Sequence, residues 1–341
     1  MLIFAESWEN VSLTADATAR GWTIGANIIF NNTDGRNGGK AAKHGGGAGG
    51  TLSRLVNHGT SLLRSAFWFK AGAVFATEDW LLMYNNAAAT QSGGIKLNTD
   101  GKLRAYSWGT TPGLVASGAI NIITGNYVYI EIEALFADSG GSLKVWINGS
   151  LDINFSGDTL ASGTVSVDRL TYNIKGNSDT KYVDDILIWD DSGSGLIGNL
   201  GGKAYTMSVI RPTSDVTAEF TRSTGASNFG TVDEAALSAT DYNESSTVGH
   251  VDLYGCSDLS GVSSSAEILG VVVESAISNL GAGAINAKLL ADIGGTTVEG
   301  SAIAVPSAVT VVQELFTTKP GGGAWTPSDV NAGRFGIKVA A

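Results

Sequence analysis

A single cysteine, Cys256, in 341 residues excludes an intrachain disulfide framework, and with no reactive partner in view it reads as a small buried side chain. Charge is also scarce, at 16% of residues, and 32 acidic residues against 21 basic ones give a formal charge of -11. That balance disfavours a nucleic-acid binder, because phosphate contact needs clustered cations. The densest cationic grouping is only Lys40-Ala41-Ala42-Lys43. No apolar run approaches the length that crosses a bilayer, so no membrane insertion is expected. The opening MLIFAESWENVSL lacks the basic start and long apolar stretch of a secretion signal and reads as a strand entering a core. Should the protein act outside a cell, it is expected to arrive without such a signal, as part of an assembled particle.

Helix signals are equally thin. Strand-favouring runs are short, glycine is abundant at 46 residues, and polar turn residues separate nearly every run. With so few charges, the surface must be built largely from Ser, Thr, Asn and Gly.

Residues 127–155, YVYIEIEALFADSGGSLKVWINGSLDINF, give the clearest pattern. Val128, Ile130, Ile132, Ala134 and Phe136 alternate, followed by Leu143, Val145 and Ile147, then Leu151, Ile153 and Phe155. This period of two predicts an antiparallel meander with one dry face. Opposing Phe136 to Leu143 also opposes Ile132 to Ile147. A two-residue Asn148-Gly149 turn would set Ile147 against Ser150 and dry residues against wet ones. Register therefore predicts a three-residue Asn148-Gly149-Ser150 loop with Ile147 opposite Leu151.

Elsewhere, IKLNTDGKLRAYS at 95–107 reads as a hairpin around Asp100-Gly101. The segment GRNGGKAAKHGGGAGGT at 35–51 cannot bury enough side chain to order itself, and reads as a mobile loop or as backbone pinned against a neighbour. KYVDDILIWD at 181–190 is apolar on both faces apart from its aspartates, with Val183, Leu187 and Trp189 on one side and Tyr182, Ile186 and Ile188 on the other. It reads as a strand covered on both faces. The polar, glycine-rich DDSGSG at 190–195 is the best domain boundary. It separates a sandwich over residues 1–192 from a second, smaller β-domain over 196–341, for which attachment or oligomerisation is the expected role. In the second domain, strands are expected at 203–210 and 267–277, the latter with a short helix as the alternative.

The strand FAESW at 4–8, the Asp100-Gly101 hairpin, VWINGS at 145–150 and YVDDILIWD at 182–190 come in an order that resembles the laminin-G/concanavalin-A-like jelly roll. The resemblance covers roughly residues 1–192 and implies an all-β fold, a jelly-roll sandwich followed by a second β-sandwich-like domain. DDILIWDDSGSGLIGNLG, VIRPTSD, STGASNFGTVDE, TDYNESSTVGHVDLYG and WTPSDVNAGRFGIKV are similar to stretches of bacteriophage virion proteins. That resemblance implies a structural component on the exposed particle surface, a capsid decoration or fibre, or a tail component. It further implies contacts with major capsid or tail proteins and homo-oligomerisation, with a trimer as the natural expectation. It carries no catalytic residues.

The chemistry-bearing candidates are few. On the supposedly wet face of the meander lie Tyr127, Tyr129, Glu131, Glu133 and Trp146, a candidate recognition surface. Trp146, with Trp80 and Trp108, is a candidate sugar-stacking platform. Glu131 and Glu133 are also where a polysaccharide hydrolase of jelly-roll type would place its acids, if one had a raised pKa in a cleft. Asp184 and Asp185 point to opposite faces, and Asp184 lies about 20 Å from Asp190 along an extended strand, too far to act on one glycosidic bond. Asp190 and Asp191, beside Ser192 and Gly193, are weak candidates for a Ca²⁺ loop; no other cofactor is suggested. His44, His58 and His250 are dispersed, there is no G-x-S-x-G elbow, and the glycines of 35–50 lack the phosphate-loop pattern. The expectation is a non-enzymatic virion structural protein. A tail-associated adhesin for host-surface glycans is the main alternative, and a hydrolase the weaker one.

Overall fold

The computed structural model describes residues 2–30, 32–46, 50–58, 62–73, 76–174, 181–191, 200, 203–234, 237–238, 240–281 and 283–341. The fold is all-β, in two compact units, Met1–Met207 and Ser208–Ala341.

The first unit opens with β1 (Leu2–Glu6), a short helix α1 (Thr14–Ala19), β2 (Trp22–Ile24), β3 (Ile28–Ile29), β4 (Ala42–His44), β5 (Thr51–His58) and β6 (Leu62–Ala71). It continues with β7 (Asp79–Asn85), β8 (Ser92–Leu97), β9 (Lys102–Gly109), β10 (Leu114–Asn121) and β11 (Val128–Leu135). The last four strands are β12 (Gly141–Ile147), β13 (Ser150–Gly157), β14 (Val167–Asn173) and β15 (Lys181–Trp189). Two antiparallel sheets form. One runs β13-β12-β11-β6-β15-β4-β3, with β1 sharing the outer edge of β15, and the other runs β10-β9-β8-β7-β14-β5-β2.

The core lies between the two sheets. Phe67, Phe69, Val128, Ile130, Ile132, Val145, Val183, Ile186 and Ile188 come from the first sheet, and Leu82, Tyr84, Ile95, Leu103, Trp108, Leu170 and Tyr172 from the second. Burying rings of this size contributes most of the driving force. Ser65 and Tyr172 hydroxyls meet at 2.6 Å across the core, satisfying both polar atoms.

In β11 and β12 the meander forms with its predicted faces but a different register, whereas Leu151, expected on the dry face, lies opposite Trp146 and is exposed. Ala134 opposes Leu143, Ile132 opposes Val145 and Ile130 opposes Ile147, two residues from the predicted pairing and therefore on the same faces. The Asn148-Gly149 turn is corrected: it has two residues, Ile147 opposes Ser150, and both turn residues have positive φ, +49° and +86°. That is the mirror-type turn favoured by strand twist. Parity is restored by a bulge, because Val145 opposes Ile153 while Trp146 opposes Leu151, leaving Asp152 over. The freed Asp152 carboxylate accepts the backbone N–H groups of Ala119 and Ile120 in β10, at 2.8 and 2.9 Å. The bulge thus joins the edges of the two sheets.

Two further expectations are corrected. The glycine-rich segment orders as backbone: β4 lies in the sheet, with Ala41, Ala42 and His44 buried, although residues 47–49 lie outside the described set. A side chain at Gly35 would strike the Lys40 carbonyl at 2.3 Å, so glycine here permits close backbone approach. In β15, Asp185 takes φ +46° at a bulge between Asp184 and Leu187, which swaps the later faces. Ile186 and Ile188 therefore join Val183 in the core, and Leu187 and Trp189 turn to the opposite side, where both are nevertheless buried.

The second unit contains β16 (Pro212–Ala218), β17 (Thr221–Arg222), β18 (Asn243–Glu244), β19 (Val251–Cys256), β20 (Val271–Ile277), β21 (Asn286–Ile293), β22 (Thr296–Glu299), β23 (Ile303–Ala304) and β24 (Thr310–Phe316). Helix α2 (Pro327–Ala332) and β25 (Arg334–Ala340) complete it. A sheet ordered β16-β19-β25-β21-β22, with β23 on β21, packs against the ribbon β20-β24 around Leu289, Ala291, Phe316, Trp325 and Phe335. Residues 271–277 are strand and not helix, whereas residues 203–210, read as strand, are not one. Helix α2 follows a reciprocal cap between Thr326 and Asp329 with proline in its first turn, a signal present in WTPSDVNA. The Cys256 thiol is half-buried, and burial alone pushes it up to about 11.

Candidate functional site

The presumed wet face of the meander is largely covered. Tyr129 and Glu131 are fully buried, Glu133 and Trp146 nearly so, and only Tyr127 is half-buried. Part of the cover is the end of the first unit. The Tyr205 ring sits 5.4 Å from that of Tyr129, whose other neighbour is Trp68, also at 5.4 Å. Trp68 donates its indole N–H to the Tyr205 carbonyl at 2.9 Å, and Glu131 accepts the Leu200 amide at 2.7 Å. Residues 203–207 thus form a strap across the sheet. The recognition surface expected at Tyr127, Tyr129, Glu131, Glu133 and Trp146 is corrected to a layer buried within the first unit.

Nor are the two glutamates poised for acid–base work. Glu133 is gripped by Arg64, at 2.9 and 2.8 Å, and by Lys144 at 2.9 Å. Burial pushes its carboxyl up, but the hydrogen bonds from Lys144 and Arg64 outweigh that and hold it below the usual range. A general acid needs the opposite shift. Asp191, the weak calcium candidate, pairs with the same Arg64, and Asp190 is buried. Among the described residues, no three His, Cys, Asp or Glu side chains gather as a metal site.

Asp184 and Asp185 end up beneath the strap. Asp184 accepts the Arg36 amide at 2.9 Å, and Asp185 accepts the Arg36 guanidinium at 3.0 Å while the Met207 amide also donates to it. Burial, followed by the Asp185 charge, lifts Asp184 well above the usual carboxylate range. Arg36 also lies 4.8 Å over Trp68. These groups knit strap, bulge and sheet together.

Of the three candidate tryptophans, Trp108 is fully buried and Trp146 nearly so, whereas Trp80 is half-exposed on the outer side of the second sheet. There, Trp80 in β7, Lys96 in β8 and Arg104 in β9 stand in one cross-strand row. Tyr106 meets Trp80 edge-on at 5.7 Å, and the Lys96 ammonium lies 4.0 Å over the Tyr106 ring and 4.9 Å over that of Trp80. Glu78 accepts the Tyr106 hydroxyl at 2.6 Å and Arg104 at 3.1 Å. Burial, then that bond to Glu78, raises the Tyr106 phenol. The half-exposed Trp80 ring, two cations and a carboxylate converge on one partly open surface, with Tyr106 buried beneath them, and can offer apolar stacking together with directional donors and acceptors. Lys96, Arg104, Tyr106 and Glu78 were missed as site residues. A four-residue turn at Asn98–Gly101 would have set Lys96 opposite Leu103; the observed pairing of Leu97 with Leu103 sets it opposite Arg104, and the alignment with Trp80 required the neighbouring strand.

A two-sheet β-sandwich with this surface describes the first unit. No family model and no curated protein matches the chain. Solved structures do resemble it. A structure of the alginate lyase Aly36B shares 10% identity over 54% of this chain and 95% of that one, with a TM-score of 0.40. The endo-β-1,4-glucuronan lyase of Trichoderma reesei shares 12% over 55% and 95%, with a TM-score of 0.39. A carbohydrate esterase from the Shiga toxin-encoding bacteriophage phi24B shares 14% over 55% and 97%, with a TM-score of 0.37. A sialidase is matched over 55% of this chain but only 18% of its own length. The likeness is one of β-sandwich architecture over about half the chain. The expectation of a non-enzymatic chain is corrected: lyases, a sialidase and an esterase are among the solved structures that resemble it.

Proposed function

We propose that this chain is a glycan-binding protein of a bacteriophage particle surface, with the Trp80–Tyr106 face of its first unit as the binding surface. The observation that carries the reading is the cluster of Trp80, Tyr106, Lys96, Arg104 and Glu78. Sugar C–H groups would stack on the Trp80 ring, acidic groups would meet Arg104 and Lys96, and ring hydroxyls would donate to Glu78. A ligand that draws the Lys96 ammonium off the rings would both neutralise it and open the stacking surface.

The phage assignment, the exposed virion location and contact with major capsid or tail proteins rest on the sequence resemblances at residues 184–255 and 325–339. Within that assignment, a capsid decoration or fibre and a tail-associated adhesin for host glycans both suit a surface that binds sugars. A glycan array probed with the whole chain, Trp80→Ala and Lys96→Ala tests the site. Each substitution should weaken binding about ten-fold, the scale of one stacking or cation contact. Binding that both variants retain in full would place the site elsewhere, and no signal from the unaltered chain would remove the reading.

A further inference from the structure

The larger sheet of the second unit turns one face to its core and the other away from it. The second face holds a cleft of about 360 Å³ lined only by residues of that unit, a volume at the small end of the range for ligand sites. Its floor is the cross-strand row Thr217–Leu253–Gly336–Leu290–Glu299, running from β16 to β22. Leu253 and Leu290 are buried although neither belongs to the core of the unit. The core residues Leu289 and Ala291 flank Leu290 along β21 and therefore point the other way. A side chain at Gly336 would strike the Asp252 carbonyl, so the middle of the floor carries none.

The two walls differ in how their charges are used. On one side Lys338 reaches across β21 to Glu299 at 2.6 Å, and Lys288 holds the other oxygen of that carboxylate at 2.9 Å. These two bonds keep the Glu299 carboxyl below the usual glutamate range. On the other side Glu219, exposed at the mouth of the cleft, accepts the Val251 N–H at 2.7 Å on one oxygen, and among the described residues no cation lies against it. The Thr217 hydroxyl, at the same end of the floor, has no hydrogen-bond partner among the described residues.

The chemistry of an occupant follows by elimination. No aromatic ring lines the cleft, so a sugar would find nothing to stack on. Its one lysine is already paired, which leaves little for an anion, and the unit as a whole carries 14 acidic residues against six basic ones. A divalent cation wants several oxygen ligands, and Glu219 is the single carboxylate of the lining without a cation. What fits is a cation on an apolar stem. The ammonium would sit between the Glu219 carboxylate and the Thr217 hydroxyl, and its methylenes would lie over Leu253 and the bare Gly336.

We propose that this cleft binds a primary alkylammonium group, with its charge on Glu219 and its stem on Leu253. Two carriers share that chemistry, a free alkylamine and the lysine side chain of a protein. The site is independent of the glycan-binding reading.

Methyl NMR of the full chain, following Leu253 and Leu290, tests the site with n-butylamine and N-acetyl-lysine amide as probes. At least one of the two should produce saturable shifts in both leucines. N-acetyl-norleucine amide, which offers an apolar stem without the charge, should bind about five- to ten-fold more weakly than the lysine amide, the scale of one charged contact at an open site. Glu219→Gln keeps an acceptor for the Val251 N–H, and should weaken the cationic probes by the same factor while leaving the norleucine amide unchanged. Butylamine binding as tightly as the lysine amide would identify a free amine as the ligand, and tighter binding of the lysine amide would identify a protein lysine. The absence of saturable shifts with both cations would overturn the proposal. So would equal binding of the norleucine amide, or full affinity for the cations in Glu219→Gln.

Discussion

Replacing Glu133 by glutamine separates the structural reading of that residue from a catalytic one. Its carboxylate and Arg64 are both nearly sealed, with side chains 8% and 6% exposed, and their contacts are 2.8 and 2.9 Å. Removing one partner of a buried ion pair costs about 3–5 kcal/mol because the other charge is stranded. Arg64 keeps Asp191, whose side chain is 41% exposed. That remaining partner should reduce the loss to about 2–3 kcal/mol. Urea unfolding would read this as a lower midpoint at unchanged slope. Adding Arg64→Met should return part of the stability, since an apolar replacement leaves no orphan charge. The pH dependence follows the same group. Its folded-state pKa lies below its unfolded value, so its contribution is complete above the ordinary glutamate range and is lost as pH falls through the folded value. Glu133→Gln should lack that acid-side loss. A change below about 0.5 kcal/mol, typical of an open surface site, would refute the buried-network argument.

Asp184 should behave in the opposite sense. With its folded pKa raised by burial and by Asp185, the native state keeps a proton that the unfolded chain releases. Stability should therefore fall as pH rises from the ordinary carboxylate range towards the raised value, by at most about 1.4 kcal/mol per pH unit. Asp184→Asn should flatten that decline, measured as urea midpoints across the window, and an unchanged slope would contradict it. Tyr205→Ala should leave the sandwich folded but loosen the strap. The half-buried ring supports a loss of about 1–2 kcal/mol, a red shift in tryptophan emission as Trp68 is uncovered, and faster proteolysis near residue 205. Unchanged emission and cleavage would show that the ring does not hold the strap down.

Much of the fold could be read from local pattern. Alternation over residues 128–136 and 143–147 marked the core-facing side of β11 and β12, because side chains on a strand must alternate. The apolar character of both faces of residues 181–190 marked a strand buried on both sides. Where one backbone irregularity intervened, pattern failed. The left-handed Asp185 moved Leu187 and Trp189 to the other face, and the Asp152 bulge allowed a two-residue turn where alternation alone demanded three. Bulges change parity at one residue, and their compensation comes from strands far away in the chain.

The candidate site divides along the same line. Tyr129, Glu131, Glu133 and Trp146 were correctly placed on one side of the sheet, but alternation distinguishes sides and says nothing of what covers them. Tyr205, Leu200 and Arg64 decide that, at separations of 69 residues or more for the bonds to Glu131 and Glu133. Trp80, Lys96, Arg104 and Tyr106 were all visible as residues. The hairpin closed by Asn98 and Lys102 brought Lys96 to Arg104, a register one residue from the one that a turn at Asn98–Gly101 implies, and strand order in the second sheet added Trp80. By itself, then, the sequence determined an all-β chain, the core-facing residues of β11 and β12 and the chemistry available at each position. Only the tertiary structure decided which non-core faces are buried, because exposure depends on what packs from a distance and not on the period of the strand.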